Sequence, residues 1–191
     1  SVRKGVKKSL MIVDMPFNTY KNKSQALKNC KKVIKETKCD GIKLEGGSKI
    51  KDIIKHLVNN KIPVMGHIGI TPQSQRGKFR YKGKNEKEKK NLLNDSKILE
   101  EAGVFAIVLE CIEKKLSKKI TETIDIPTIG IGSSKFCDGQ ILVLDDLLGL
   151  TNSKIKFVKK YANFKSNIRN AVKKFGSDVK RGSYPSLKHS Y

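Results

Sequence analysis

The stretch Ala106-Ile107-Val108-Leu109-Glu110 decides the fold, because it places four apolar residues in a row immediately before a carboxylate. A short apolar run that contains β-branched residues is typical of a strand buried on both faces. An amphipathic stretch follows it, in which Leu116 and Ile120 are one helical turn apart. We therefore expect a strand and then a helix, which is the repeating unit of parallel α/β proteins.

The same alternation runs along the whole chain. Strands are predicted at 10–13, 41–44, 62–65, 106–109, 126–131 and 141–144. Helices are predicted at about 22–38, over 50–58 and 92–102, through 116–120, and over about 154–181 with a break near 163. A polar loop is predicted at about 71–90. No GxGxxG follows the first strand, which argues against a dinucleotide-binding open sheet.

Chain length favours a barrel. A (β/α)8 TIM barrel takes about 250 residues, or about 31 for each βα unit. The 191 residues of this chain therefore correspond to about six of the eight units. We predict one partial TIM-barrel domain over 1–191, in which 154–191 is a C-terminal helical segment.

The charge of the chain is strongly positive, with 41 Lys and Arg against 18 Asp and Glu and a net charge of +23. Such a charge suggests nucleic acid, but base readout favours Arg and single-strand binding favours interleaved aromatics. Here the cations are nearly all lysine, aromatic residues make up 6%, and Trp is absent. We predict no specific nucleic-acid partner, and non-specific polyanion binding stays open as an alternative.

Cysteines and apolar runs bear on the compartment. Cys30, Cys39, Cys111 and Cys137 form no CxxC pair, which argues against a disulfide framework and indicates a reducing, cytoplasmic setting. No apolar run reaches the roughly 18 residues of a membrane span, and the start of the chain does not read as a signal peptide. The first residue is not Met, which is compatible with excision from a longer chain.

Polar side chains stand where the predicted strands end, which is where a parallel barrel holds its chemistry. They are Asp14, Lys43, Glu45, His67, Glu110 and the pair Asp145-Asp146. Structural roles compete with functional ones: an Asp before Met-Pro can cap a turn, a lone His is commonly a core residue, and the Asp pair is best read as a helix start. A structural Lys–Glu ion pair inside a barrel is disfavoured by its desolvation cost. Glu110 must be paired, metal-bound or raised in pKa.

The types of these residues favour magnesium chemistry on a 2-oxo acid. Two carboxylates beside Lys43 suit Mg²⁺, which takes few protein ligands, whereas zinc would need clustered His or Cys. The metal would act as a Lewis acid on the carbonyl, and Glu110 is placed to remove the neighbouring proton.

Six colinear blocks sharpen this interpretation: DMPFNTY, IKLEGG, GHIGITPQS, VLEC, IPTIGIGSSKFCDGQILVLDDLLGL and a closing RNAVKKF…GSYPSLKHS. Across essentially the whole chain they resemble the ketopantoate hydroxymethyltransferase (3-methyl-2-oxobutanoate hydroxymethyltransferase) family. The resemblance implies a TIM barrel of the phosphoenolpyruvate/pyruvate superfamily, commonly assembled as a homo-decamer. It also implies Mg²⁺-dependent transfer of a one-carbon unit from 5,10-methylenetetrahydrofolate to 3-methyl-2-oxobutanoate, giving 2-dehydropantoate for pantothenate biosynthesis through a Mg-stabilised enolate.

The resemblance also assigns roles to individual residues. It implies that Asp14 binds metal and substrate, that Lys43 binds substrate, and that Glu45 is a metal ligand. It implies that Glu110 is the proton acceptor, and it gives His67 a supporting place at the substrate.

The chain departs from the family at two places. The family has an earlier strand that ends in an Asp-Ser pair, which 1–9 does not match, so we expect an N-terminally incomplete barrel that is poorly active or inactive alone. The segment 75–90, QRGKFRYKGKNEKEKK, is unusually basic, so its behaviour as a lid is open; it is either a solvated loop or an attractor for a polyglutamyl folate tail.

Two rival functions stay open: a Mg²⁺-dependent 2-oxo acid lyase or isomerase of the same superfamily, and a non-enzymatic polyanion-binding remnant.

Overall fold

The computed structural model describes residues 2–73 and 80–191, and the chain divides into two compact units, 1–141 and 142–191. Residues 75–79 of the predicted basic loop lie outside the described residues. The prediction that 1–191 forms a single domain stays a prediction.

A six-stranded parallel sheet forms the centre of the first unit. Its strands are β1 (Ile12–Asp14), β2 (Gly41–Glu45), β3 (Val64–Gly69), β4 (Ala106–Glu110), β5 (Thr128–Ile131) and β6 (Gly139–Gln140). They follow one another in space in the order of the sequence, each parallel to its neighbours. This order has no reversal of the kind that defines a doubly wound sheet, so the predicted α/β class with a parallel sheet is confirmed.

Helices follow most strands of the first unit. The helices of the chain are α1 (Val2–Gly5), α2 (Lys23–Thr37), α3 (Lys51–Asn59), α4 (Glu86–Glu101), α5 (Lys114–Thr121), α6 (Leu144–Leu147) and α7 (Phe164–Lys180), with short 3₁₀ turns at Ser48–Ile50 and Leu187–His189. Side-chain caps start several of them: Asn22 accepts a hydrogen bond from the Gln25 N–H, and Asn85 accepts one from the Glu88 N–H. Such caps satisfy backbone donors that the helix itself leaves without partners.

The core of the first unit lies between the sheet and helices α2 to α5. Its fully buried members come from strands and helices alike: Ile42, Leu44, Ile54, Leu57, Leu99, Ile107, Leu109 and Ile120. All residues of β4 from Ala106 to Leu109 are buried, as the continuous apolar run predicts for a strand covered on both faces.

Strand register fixes which side chains meet at the carboxyl edge of the sheet. Asp14 stands opposite Lys43, and Glu45 stands opposite His67. Glu110 stands opposite Gly69, the last residue of β3. Gly69 has φ +103, and a Cβ there would collide with the carbonyl oxygen of Glu110, so this close approach requires glycine.

Two predicted elements were wrong. The sixth strand, predicted at 141–144, lies earlier, at Gly139–Gln140, and Leu144 instead begins α6. Residues 154–163 are not helical, and the last long helix begins only after its cap Asn163. In the first case an apolar run does not by itself distinguish a strand from a helix start, and Asp145 and Asp146 occupy the first turn of α6 as acidic residues favour.

Other boundaries moved by a few residues. The third strand extends through His67 to Gly69 rather than ending at 65, and the first begins at Ile12 rather than at Leu10. The fifth strand begins at Thr128. Among the described residues, no helix is long and apolar enough to cross a membrane.

The four cysteines carry free thiols. Cys30 is buried in α2, and burial together with the nearby Cys39 raises the pKa of its thiol to about 12. Burial raises the pKa of the half-buried Cys111 to about 11. Because the thiolate is the reactive form, both side chains are chemically inert near neutral pH.

Core packing gives a direct test of the fold. Leu44→Ala should lower the free energy of unfolding by about 2–5 kcal/mol, because the side chain is fully buried and its removal leaves a cavity. Leu10→Ala is the matched control, since Leu10 is 71% exposed and lies outside β1, and it should change stability by less than about 0.5 kcal/mol. Urea denaturation followed by circular dichroism measures both. Equal losses for the two variants would contradict this packing.

Candidate active site

The structure brings together five of the seven strand-end residues that the sequence singled out; the other two, Asp145 and Asp146, lie in α6. Asp14 ends β1, Lys43 and Glu45 lie on β2, His67 lies on β3, and Glu110 ends β4. Side-chain contacts link them in one chain from Asp14 through Lys43 and His67 to both glutamates. Parallel strands produce this arrangement because their carboxyl ends meet at one edge.

Lys43 contacts two other residues of the cluster. Its Nζ lies 2.8 Å from Asp14 Oδ2 and 3.1 Å from His67 Nδ1. Its side chain is 18% exposed, whereas that of Asp14 is 46% exposed. The ammonium therefore sits between the partly open carboxylate and the interior of the site.

His67 joins two parts of the site. His67 as a whole is 1% exposed. Because an ammonium can only donate, the contact with Lys43 makes Nδ1 the acceptor and places the proton of a neutral ring on Nε2. Nε2 lies 3.2 Å from Glu110 Oε2, but it has no partner with hydrogen-bond geometry, so the contact is one of proximity and charge rather than a formed bond. A buried polar atom left without a partner beside a carboxylate distinguishes His67 from a satisfied core histidine.

Glu45 is the most enclosed carboxylate of the cluster. Its side chain is 5% exposed, and burial raises its pKa above the ordinary value. The Gln73 N–H, which donates to Oε2 at 3.1 Å, and the charge of Lys43 oppose that shift. Oε1 lies 3.8 Å from His67 Nδ1. Holding this group ionised therefore depends on its neighbours.

Backbone hydrogen bonds on both sides hold Glu110 in place. Its carbonyl accepts from the Ile70 N–H at 2.9 Å, and the next residue, Cys111, donates to Ile131 at 2.8 Å. Cys111 has φ +50, a left-handed conformation that is unusual for a residue other than glycine. The side chain of Glu110 is 18% exposed, so it reaches from β4 toward the open edge. Its Oε2 lies 3.2 Å from His67 Nε2.

Gln73 and Tyr20 are residues that the sequence analysis did not single out. The Gln73 side-chain amide donates to the Met15 carbonyl at 2.9 Å and accepts from the Tyr20 hydroxyl at 3.3 Å. Burial raises the pKa of the Tyr20 phenol. The block GHIGITPQS contains Gln73, but nothing in its spacing shows that the chain folds back onto β1 and β2.

The donor set fits the predicted magnesium. Within 2–73 and 80–191, no group of three or more His, Cys, Asp and Glu could hold a metal ion. Asp14 at the end of β1 and Glu45 at the end of β2 offer carboxylate oxygens at one edge of the sheet. Mg²⁺ is commonly held by one or two carboxylates with water completing its shell. This donor set suits Mg²⁺ and does not suit a zinc site. The assignment of Asp14 and Glu45 as metal ligands stays a prediction.

Two grooves lie in the first unit. One, of about 250 Å³, touches the site, since its lining includes Glu45, Gln73 and Tyr20 together with Phe17 and Lys49. A larger one, of about 720 Å³, is lined by residues of α4, α5 and the segments before them. None of the five clustered residues lines it.

Comparison with known proteins assigns the family. The sequence model of ketopantoate hydroxymethyltransferase matches residues 1–187. The chain belongs to this family. The resemblance found in the sequence is thereby confirmed, and family membership makes the protein a hydroxymethyltransferase enzyme.

Curated relatives of the family support this assignment. The 3-methyl-2-oxobutanoate hydroxymethyltransferase of Pelagibacter ubique (strain HTCC1062) is 60% identical over 191 residues, which are 100% of this chain and 74% of the relative. The enzyme of the same name from Helicobacter pylori (strain ATCC 700392 / 26695) is 50% identical over 98% of this chain and 70% of its own. The chain thus spans about three quarters of the length of the first of these relatives.

Similarity to solved structures is weaker. A dihydrodipicolinate synthase aligns with a TM-score of 0.44 and 15% identity, over 64% of this chain and 45% of that one.

The buried charge of Glu45 should cost stability. Because burial raises its pKa, Glu45 binds more protons in the folded than in the unfolded state above its ordinary pKa, so its contribution to stability falls as pH rises. Glu45→Gln should therefore raise the free energy of unfolding at neutral pH by about 0.5–1 kcal/mol. The gain should shrink as the pH falls, because the native carboxyl takes up its proton at a higher pH than the unfolded one.

Urea titrations at the two pH values test this expectation. Glu36→Gln, at an exposed position of α2, is the control and should leave stability unchanged at both. A Glu45→Gln gain that is greater in acid than at neutral pH would have the wrong sign for a buried carboxylate.

Proposed function

We propose that this protein transfers a hydroxymethyl group from 5,10-methylenetetrahydrofolate to 3-methyl-2-oxobutanoate, giving 2-dehydropantoate for pantothenate biosynthesis. The observation that carries the proposal is the position of His67, which lies between the cation Lys43 and the carboxylate Glu110. A group that binds an anion and a group that accepts a proton thus lie within one small site. The names of the curated relatives support the choice of substrate.

Lys43 and Asp14 form the substrate-binding part of this proposal. The Lys43 ammonium, which the cluster holds with the side chain largely buried, would pair with the carboxylate of a 2-oxo acid. Low exposure strengthens this interaction, because water screens it poorly. Asp14, which is more exposed, would contact the substrate from the open side of the site.

Asp14 and Glu45 would hold Mg²⁺. When bound there, the metal would supply Lewis-acid polarisation of the 2-oxo group and acidify carbon 3 of the substrate.

Glu110 would accept the proton from carbon 3. His67 Nε2, 3.2 Å from Glu110 Oε2, would keep that carboxylate turned toward the substrate. Carbon 3 would then form a bond to the methylene carbon of the donor. Both carbon–nitrogen bonds of that methylene group would break, and the two nitrogens of tetrahydrofolate would keep the bonding electrons and take one proton from carbon 3 and one from water. The remaining hydroxide of that water would become the new hydroxyl group. The cluster thereby provides a binding cation, a base and a group that orients the base.

The sheet of the first unit supports a barrel as the complete architecture. Its strands are parallel and sequential, as in a (β/α)8 barrel, and β1 and β6 are its edges. Membership of the phosphoenolpyruvate/pyruvate superfamily is part of this proposal. A homo-oligomeric assembly and a cytoplasmic location stay predictions.

One-carbon transfer can be tested directly. Purified protein incubated with Mg²⁺, 3-methyl-2-oxobutanoate, tetrahydrofolate and ¹³C-formaldehyde should place the label in the new hydroxymethyl group, as seen by NMR, at a rate well below ordinary enzymatic turnover, because 1–9 does not match the Asp-Ser pair of the family. Chelation by EDTA should abolish incorporation, and added Mg²⁺ should restore it, because carbon 3 is acidified only when the metal is bound. Proton exchange at carbon 3 without incorporation of label would favour the rival lyase or isomerase.

The role of Glu110 has its own test. Glu110→Gln should slow exchange of the carbon-3 proton in D₂O by about 100-fold or more, because the amide cannot accept the proton. Substrate binding, measured by calorimetry, should persist because Lys43 and Asp14 are intact. Glu122→Gln, on an exposed position after α5, is the control and should exchange at the wild-type rate. Wild-type exchange in Glu110→Gln would remove Glu110 from the proposal.

A further inference from the structure

Gln73 contacts the chain beside both carboxylates that the proposed function assigns to Mg²⁺. Its backbone N–H donates to Glu45 Oε2 at 3.1 Å. Its side-chain Nε2 donates at 2.9 Å to the carbonyl of Met15, the residue that follows Asp14. A single residue therefore reaches the carboxylate at the end of β2 and the backbone at the end of β1.

We propose that Gln73 is a positioning residue that sets the spacing of Asp14 and Glu45 and so tunes the affinity of this site for a divalent cation. The inference rests on the proposed function, because that function supplies the metal. Some residues hold the ligands of a metal without touching the ion. Mutation of such a residue commonly lowers the affinity for the metal by about 10–100-fold.

The chemistry of the amide makes Gln73 suited to this position. The carbonyl of Met15 needs a donor, and the Tyr20 hydroxyl, at 3.3 Å from Gln73 Oε1, needs an acceptor. A primary amide offers both at once, whereas a carboxylate of the same shape only accepts. Glutamate at 73 would therefore lose the bond to Met15 and would add a negative charge close to Glu45.

Other contacts restrain the same backbone. Met15 is 1% exposed, and its N–H donates to the Lys43 carbonyl at 3.0 Å. The Tyr20 hydroxyl lies 3.4 Å from the carbonyl of Glu45 as well as beside Gln73. The end of β1, the end of β2 and Gln73 thus form one hydrogen-bonded unit, in which a shift of Gln73 would displace both carboxylates.

A metal titration tests the inference without relying on turnover. Mn²⁺ serves as the probe, since free Mn²⁺ is counted by its EPR signal, and competition with Mg²⁺ extends the result to the expected ion. Gln73→Met removes both side-chain hydrogen bonds and keeps the length of the side chain and the backbone N–H to Glu45. Its Mn²⁺ affinity should fall about 10–100-fold. Gln73→Glu should not restore it, because the donor to Met15 is still missing.

Gln140→Met is the matched control. It removes an amide-to-carbonyl hydrogen bond of similar length, 2.8 Å to Ser134, at the opposite edge of the sheet. Mn²⁺ affinity should be unchanged in this variant, whereas the metal-free melting temperature should fall to a similar extent in both. Tyr20→Phe keeps Gln73 and removes the hydroxyl that contacts Gln73 Oε1 and the Glu45 carbonyl. It should weaken Mn²⁺ binding by a smaller factor and serves if Gln73→Met fails to fold.

The outcomes separate this inference from the proposed function. If the wild-type protein binds no Mn²⁺, the metal site itself is wrong and the role of Gln73 falls with it. If the wild type binds Mn²⁺ and Gln73→Met binds it equally well, the metal site stands and the role of Gln73 is overturned. Equal weakening by Gln140→Met would show a general loss of stability and would also overturn it.

Discussion

The contact of Lys43 with Asp14 and His67 is the interaction on which the rest of the site depends. A lysine side chain that is 18% exposed requires compensation for lost hydration, and the Asp14 carboxylate at 2.8 Å supplies most of it. The same ammonium determines which ring nitrogen of His67 accepts, and thereby turns the protonated nitrogen toward Glu110. The Lys43 ammonium thus determines how Asp14, His67 and Glu110 are arranged. Together with Lys43, these residues lie on four strands.

The site combines groups that stabilise the fold poorly with a scaffold that holds them. Glu45 is buried at the cost of a raised pKa, and His67 leaves a polar atom without a hydrogen-bond partner. Glu45 ends β2, and His67 lies within β3 beside the buried apolar residues 106–109 of β4. Strained polar arrangements of this kind are common in active sites, because groups poised for chemistry are seldom those that best stabilise the folded state.

Most of the strands could be predicted because buried parallel strands have a recognisable sequence pattern, a short and nearly continuous apolar run. The run 106–110 and the alternating polar residues of 41–45 indicate where strands β4 and β2 lie. Helical spacing of apolar residues indicates α2, which lies between its caps Asn22 and Lys38. The failures occurred where the pattern is ambiguous. The apolar run at 141–144 resembles a strand in composition, yet Asp145 and Asp146 allow α6 to begin at Leu144, and 154–163 has helical composition without helical structure.

The sequence by itself determined the family, the parallel α/β class and the residues at the strand ends, because these depend on residue type and on local spacing. Only the tertiary structure decided which of those residues touch: that His67 stands between Lys43 and Glu110, and that Gln73 folds back onto both β1 and β2. Such contacts join positions up to 58 residues apart. They follow from strand register and from the course of a loop, which no local pattern of side chains specifies.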